Sequence, residues 1–472
     1  MLHSIQQIAL NMGKIITQKA IGGEITDIDA LAASVSEDCR AAARRILETI
    51  TEEMNQQLRE DKEVRRVHGL VLKEKDRPRQ LLTELGMLHL KRDYYWKKDS
   101  GNYIFPLDRM IGLKHYERIG GQICAKLAEQ AVEVSYAKSA MIVTGGAVSR
   151  QTVRNKILKA ASPEKEPAWE GRKQVPELHI FADEDHVHMQ RPGKEKGKKS
   201  QMVPLITVTE GIKQENGGRN STICPMHFAD ENFNIDKLWK SAAGYIEKAY
   251  RIEDLKNIYV HGDGGSWIAK GLEEFEQKKF VMDGYHLEKE LKKISSRFPK
   301  QNIRKRLSEA IRRDDKDRAE SVLKSLDKYA VNKRDQKELR QFSGYLLRHW
   351  DSIVRRRSGK LPGSCTEGQI SHILSERFSR DPQGWSRECL GKLSKLRVYV
   401  KNGGKITKKI FEEKDPDTDE SYREYADRML KEYLSETADW SIFEAEPPVF
   451  DGAKGTQILI KGIGQSRNWI LN

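Results

Sequence analysis

At 472 residues with a formal charge of +14 and a third of its residues charged, the chain exceeds one ordinary core and carries the cationic excess that serves a polyanion. Its five cysteines are odd in number and widely spaced with no C-x-x-C pair, which excludes a disulfide framework and a zinc ribbon. No apolar run approaches the roughly 18 to 20 residues of a membrane span, and Gln6, Gln7, Asn11 and Lys14 interrupt the first twenty residues, so a soluble cytoplasmic protein of about three domains is expected.

Residues 26 to 60 read as helix, because Ile28, Leu31, Val35, Ala42, Ile46, Ile50 and Met54 recur at helical spacing. From Val67 to about Pro106, β-branched and aromatic residues around the turn Asp99-Ser100-Gly101-Asn102 predict a hairpin or small sheet, giving an N-terminal region over 1–107. Residues 108–160 return to helix. Within them, Ser135 to Ala160 predicts a helix-turn-helix: Ala137, Ala140, Met141 and Val143 form an apolar face, Gly145-Gly146 the turn, and Ser149 the cap of a second helix. That second helix presents Arg150, Gln151, Arg154 and Asn155, side chains that pair with guanine or adenine in a major groove. The plainer alternative is two packed helices running into a basic linker. Ser162 to Pro176, rich in Pro, Glu and Lys, reads as a linker.

The next block, 177–286, alternates as an α/β unit. ELHIFADEDHVHMQ, QMVPLITVTEGI and STICPMHFAD read as three consecutive strands, followed by a helix from Lys237 to Tyr250, a strand NIYVHGD, a short helix from Ser266 and a strand KKFVMDGYH. Three strands, helix, strand, helix, strand is the order of an RNase H-like sheet. Residues 287–362 interrupt it with a basic helical insertion, 23 Lys and Arg against 11 Asp and Glu from Leu287 to Lys360. Its Leu307, Ile311, Leu323, Leu326 and Leu346 would bury one face and leave Arg304-Lys305-Arg306, Arg312-Arg313 and Arg355-Arg356-Arg357 to meet phosphates. A helix from Glu367 to Phe378, ended by DPQGW, returns the chain to the core over 363–400, and 401–472 holds a charged helix near Asp419 to Glu436 and a tail.

Two aspartates sit eighty residues apart at the ends of hydrophobic strands: Asp183 after Ile180-Phe181-Ala182, and Asp263 after Ile258-Tyr259-Val260. Glu367 follows the basic insertion. A carboxylate so placed is costly unless it is paired or binds a metal, and phosphodiester cleavage by two divalent ions needs carboxylates that converge on them. Mg²⁺, with Mn²⁺ as substitute, suits such oxygen ligands. Either aspartate alone reads as plainly as a turn former, and Asp263 as a cap for the helix at Ser266. Gly262, Gly264 and Gly265 around Asp263 leave room for a backbone or ligand to approach.

The strings ADEDHV, HGDGGSWI, FVMDGYHLEK, TEGQISHILSERFS and PQGWS, with the RDYYWKKDSGNYIFPLD region, resemble a family of bacterial insertion-sequence transposases, the ISLre-two type, akin to Mutator-like transposases. The likeness runs through most of the chain. It implies a DDE site on an RNase H-like fold interrupted by a helical insert, with Asp183, Asp263 and Glu367 holding two Mg²⁺. The implied reaction is cleavage at the transposon end and transfer of the freed 3′ hydroxyl to target DNA. Double-stranded DNA as partner, a homo-oligomer pairing two ends, and a nucleoid-associated protein follow from the same resemblance. Asp283-Gly284-Tyr285-His286 fills the place of the C/D-x-x-H motif of Mutator-like relatives, so His286 would contact the scissile phosphate or orient Asp263. Asp185, on the same strand face as Asp183, is the alternative first ligand, and Glu376 the alternative to Glu367. His186 and His188 beside Asp185 form an H-x-H too sparse for zinc. The rival functions are a DNA-binding protein that has lost catalysis on the same scaffold and a nuclease that cleaves without joining.

Overall fold

The structure is a computed structural model describing residues 2–21, 27–190, 199–214, 220–357, 361, 365–381, 383–412 and 420–437. The chain divides into two compact units, Met1–Gly120 with Glu413–Asn472, and Gly121–Glu412. The tail beyond residue 437 lies outside the described residues.

In the first unit, helices Leu2–Ile21 and Ile28–Glu60 pack together; Asp27 caps the second by accepting from the Ala30 N–H. The first of these helices was not read from the sequence, where polar residues break its apolar pattern. The expected hairpin is a three-stranded antiparallel sheet: β1 (Leu70–Thr83), β2 (Gly86–Lys97) and β3 (Asn102–Ile104). One sheet face packs Leu70, Tyr95 and Ile104 against Met54 and Leu58, and the helix Glu420–Thr437 completes that core with Tyr422, Tyr425 and Met429. Arg59 grips the fully buried Asp93 through two hydrogen bonds of 2.7 and 2.8 Å, which locks the long helix to β2.

The second unit opens with three helices, Gly121–Ala131, Tyr136–Thr144 and Arg150–Lys159. Gly145 (φ 59°) and Gly146 (φ 86°) make the turn between the last two, and Ser149 caps the third by accepting from the Thr152 N–H at 3.1 Å. A mixed five-stranded sheet follows. β4 (Glu177–His188) pairs antiparallel with β5 (Ser200–Thr209), and β5 antiparallel with β8 (Met226–Phe228). On its other edge β4 pairs parallel with β9 (Asn257–Gly262), and β9 parallel with β10 (Lys278–Met282), giving the order β10-β9-β4-β5-β8. Two expected strands are broken. β6 (Gly211–Gln214) and β7 (Asn220–Ile223) leave the sheet as a separate pair, because Gly211 (φ 157°) turns the chain after Thr209 and Cys224 (φ 49°) turns it back before Met226.

Helix Ile235–Ala249 covers one face of the sheet, burying Leu238, Ala242 and Ile246 against Leu178, Ile180 and Ile206. After β10 the chain forms helices Gly284–Arg297, Ile303–Arg312, Lys316–Lys324, Lys333–Arg348 and Trp350–Arg357. They enclose their own core, in which Leu307, Ile311, Leu323, Leu326 and Leu346 are all buried. Thr366–Ile370, a π-helical turn Ser371–Ser375 and Glu376–Phe378 then run continuously, and Arg387–Lys401 is the last long helix of the unit. The fold is therefore mixed α/β. Among the described residues no helix is long and apolar enough to cross a membrane.

Candidate metal centre

Strand alternation divides β4 between two environments. Leu178, Ile180 and Ala182 enter the core under helix Ile235–Ala249, so His179, Phe181, Asp183 and Asp185 face the opposite side. Pairing of β4 with β9 ends at Phe181–His261, and Asp183 lies two residues beyond it. Asp183 is thus not at a strand terminus, as the sequence suggested, but where the central strand outruns its parallel neighbour. Asp263 follows β9 directly, and the helix starting at Thr366 packs against β4.

Asp183, His286 and Glu367 each offer one ligand atom, and these atoms all lie within 4.8 Å of one another. Among the described residues no other such group of three occurs. The three residues come from the central strand, the first turn after β10 and the helix after the insertion. Asp263 is not one of the three, yet it is near enough to act electrostatically on both Asp183 and His286. Its Oδ1 accepts from the Gly265 N–H at 2.7 Å, while the helix Ser266–Ala269 has no side-chain cap, so Asp263 shapes the turn before that helix.

Burial pushes the Asp183 carboxyl up to about 7, opposed by the Glu184 N–H and His286 and reinforced by the charges of Glu184 and Asp263. His286 is raised, first by its 3.1 Å hydrogen bond to Asp283 and against the effect of burial, with Asp183, Asp283 and Asp263 favouring its charged form. Asp283 also caps the helix by accepting from the Tyr285 and His286 N–H groups. The cluster thus sets a carboxyl raised by burial beside a histidine raised by its bond to Asp283.

The glycines of HGDGG are needed for packing rather than for an open approach. A Cβ on Gly262 would lie 2.7 Å from Ile268 Cγ2. Gly264 adopts φ 93°, and a Cβ there would lie 3.1 Å from the His349 ring. Two motifs are also tied directly, since Trp267 Nε1 donates to Glu184 at 2.9 Å. That bond, and the place of His349, have no signal in either string.

The alternative ligands are engaged elsewhere. Asp185 accepts from the Ser379 hydroxyl, and Glu376 pairs with His372 at 3.0 Å. His186 and His188 are exposed and outside the cluster. His179 and His261 are core residues, with Nδ1 and Nε2 3.0 Å apart, and burial holds both below the ordinary histidine range.

Arg397, which the sequence reading passed over, holds the Glu367 helix in place. Nearly wholly buried, it donates to the carbonyls of His372 (2.9 Å), Ile373 (2.5 Å) and Val132 (2.7 Å) and to Glu133 (2.7 Å). It thereby caps carbonyls within the π-helical turn and binds that turn to the end of helix Gly121–Ala131. An arginine within CLGKLSKLRVYV gives no sign of this.

Of the expected DNA contacts, Arg150, Gln151 and Asn155 are exposed on helix Arg150–Lys159 and Arg154 is half-buried, while Val153 and Ile157 face inward. Gln151 donates to Asn155 at 3.0 Å. Arg304 and Lys305 are exposed, with Arg304 paired to Glu288 at 2.8 Å, and Arg306 is half-buried. The run at 355–357 departs from the expectation of outward cations. Arg355 donates to the Phe280 carbonyl, Arg357 pairs with Glu288, and Arg356 is half-buried beside Gly284, in the field of Asp283. The helix Trp350–Arg357 packs against β10, which turns Arg355 and Arg356 inward, while Arg357 stays exposed in its pair with Glu288.

Residues 23–415 match the model of an uncharacterised protein family, UPF0236. A UPF0236 protein of Caldanaerobacter subterraneus subsp. tengcongensis is 35% identical over 381 residues, 80% of this chain and 79% of the relative. Its name joins eleven locus designations. A second from the same organism is 34% identical over 407 residues, 85% of this chain and 84% of the relative, and carries four designations. That genome thus holds many paralogues, consistent with a repeated element. On this coverage and identity, the chain belongs to the uncharacterised protein family UPF0236.

Proposed function

We propose that residues 121–412 form an RNase H-like catalytic unit and that the protein is a DDE transposase, which cuts DNA at the ends of its own element and joins them to a target. The observation that carries this reading is the convergence of Asp183, His286 and Glu367, 184 positions apart at the extremes, to within 4.8 Å. Support comes from the sheet: three antiparallel strands with the first paired in parallel to a fourth, and the fourth to a fifth, is the arrangement an RNase H-like fold has. The many paralogues in one relative's genome suit an element that copies or moves itself.

Asp183 and Glu367, joined by Asp263 at the margin of the cluster, would hold Mg²⁺ or Mn²⁺; these carboxylate oxygens suit hard cations. When bound, such ions stabilise the attacking and leaving oxygens of a phosphodiester displacement. The chain's own contributions are positional. Arg397 fixes the Glu367 helix, Asp283 orients His286, and His286 in its charged form offers a donor to a phosphate oxygen. In the same reading the helix pair ending at Lys159 contacts the terminal repeats, the basic insertion contacts phosphates, and a homo-oligomer brings two ends of double-stranded DNA together.

The test is cleavage of a duplex carrying the element's ends, in Mg²⁺ or Mn²⁺, by the intact chain and by Asp263→Ala and Glu367→Gln. Nicked and strand-transfer products that disappear in both variants, with DNA binding retained, are expected. Equal activity in the variants removes these carboxylates from the site. Binding without cleavage by the intact chain identifies a DNA-binding protein, and cleavage without joined products a nuclease.

A further inference from the structure

We infer that the three-stranded sheet of the first unit binds single-stranded DNA on its open face, a surface separate from the metal centre and independent of the proposed catalysis. Alternation places Leu88, Leu90, Arg92, Tyr94 and Trp96 on one side of β2. Cross-strand register adds Leu81 opposite Leu88, Arg79 opposite Leu90, Arg77 opposite Arg92, and Tyr103 opposite Trp96. The two ends of this face differ. Leu81, Leu88 and Leu90 are closed over by Ile111 and Leu113 into a small core. The other end carries aromatic rings interleaved with guanidinium groups.

Tyr94 stacks on Tyr103 with centroids 4.9 Å apart, Arg92 lies 3.8 Å above the Phe105 ring, and Arg77 lies 5.1 Å from the Tyr94 centroid. A groove of about 710 Å³ runs past Arg77, Arg92, Tyr94 and Phe105 to His115, Tyr116 and Arg118. Five of its lining residues are Arg or Lys and one is Glu. Arg79 and Arg92 both close on Asp108, at 2.6 and 2.5 Å, so two guanidinium groups share one carboxylate and the floor keeps a fixed positive surplus. Arg77 and Arg118 stand exposed at the rim.

Tyr116 is the residue that points to unpaired bases. It is 84% exposed and holds φ 61°, a left-handed conformation unfavourable for an aromatic residue, with the His115 ring against it at 3.9 Å. Tyr103 is 52% exposed on the same face. A ring held out in water at a backbone cost gains little from the fold beyond its contact with His115, whereas it gains by stacking on a base. Exposed aromatic platforms beside a cationic groove are how chains hold a single strand without reading its sequence, and in a duplex the base faces are already stacked.

The experiment uses the full chain and a fifteen-nucleotide DNA carrying 5-iodouracil, either single-stranded or annealed to its complement. Ultraviolet crosslinks mapped by mass spectrometry should fall on the peptide containing Tyr116 for the single strand and not for the duplex. Arg77→Glu with Arg118→Glu should weaken single-strand binding about tenfold or more and lower the slope of log affinity against log salt by roughly 1.4, two phosphates at about 0.7 each. Tyr116→Asn, which tolerates the left-handed backbone, should abolish the crosslink while unfolding cooperatively as before. In Glu367→Gln the crosslink should persist, which keeps this surface distinct from the catalytic reading. Crosslinks confined to residues 121–412, equal crosslinking from the duplex, or an unchanged salt slope in the double variant would overturn the assignment.

Discussion

Replacing Asp183 by Asn keeps the shape of the side chain and its bond to the Glu184 N–H while removing the charge, so it measures what the buried carboxylate costs the fold. The folded carboxyl sits at about 7 against 3.8 for the free group, with burial the main cause. A gap of about 3 units at 1.36 kcal/mol each is about 4 kcal/mol. The sign follows from proton counting. Between the two values the folded chain binds the proton that the unfolded chain has lost, so stability falls as pH rises from about 4 to about 7 and the whole cost is present above 7. With divalent ions chelated by EDTA, the Asn variant should therefore exceed the native chain by about 4 kcal/mol at pH 8 and equal it near pH 3.5. At roughly 2 °C per kcal/mol for a unit of this size, the Tm should rise by on the order of 8 °C at pH 8. Added Mg²⁺ should narrow the gap to about 1 kcal/mol, since a ligand at 100 times its Kd contributes about 2.7 kcal/mol to the native chain and little to the variant. Circular dichroism melts at the two pH values, with and without Mg²⁺, make the comparison. A variant no more stable than the native chain at pH 8 in EDTA would refute the argument that Asp183 is held ready for a cation.

Arg397→Met should destabilise the chain by about 3 to 5 kcal/mol, because the carbonyls of Val132, His372 and Ile373 lose a buried charged donor; urea unfolding measures it, and Arg397→Lys should recover part of the loss. Gly391→Ala should cost about 2 kcal/mol or more in the same assay despite a helix-propensity gain of about 1 kcal/mol. Its new Cβ would lie 1.7 Å from the Glu231 carbonyl oxygen, so one backbone segment must move.

What could be read from the sequence was local. Hydrophobic strings ending in aspartate, the stripe Leu238, Ala242, Ile246, Tyr250 and the buried leucines of the insertion each carry their own periodicity, and β4, β9, helix Ile235–Ala249 and the insertion's core follow them. The acidic pattern and the resemblance together point to a meeting of Asp183 and Glu367, but no spacing rule gives it across the 76-residue helical insertion at 287–362. The break between β7 and β8 escaped because it depends on Cys224 adopting a left-handed backbone, which that residue type does not announce. Arg355 and Arg357 escaped for another reason. A run of cations looks the same whether it faces water or pairs with Glu288 and the Phe280 carbonyl.

The π-helical turn at Ser371–Ser375 splits one helix into two angular phases. Each α-helical residue advances the side-chain direction by about 100°, and a widened turn accommodates one residue more than the regular ladder would. Before the turn, that count brings Glu367 into the cluster with Asp183; after it, the count sends Arg377 and Phe378 into the interior. Removing a single residue from the turn would restore an unbroken α-helix and swing the glutamate about a quarter-circle relative to that buried stripe. The extra residue acts as a phase shifter, allowing one helix to satisfy the core and the cluster at angles a uniform ladder would not bring together.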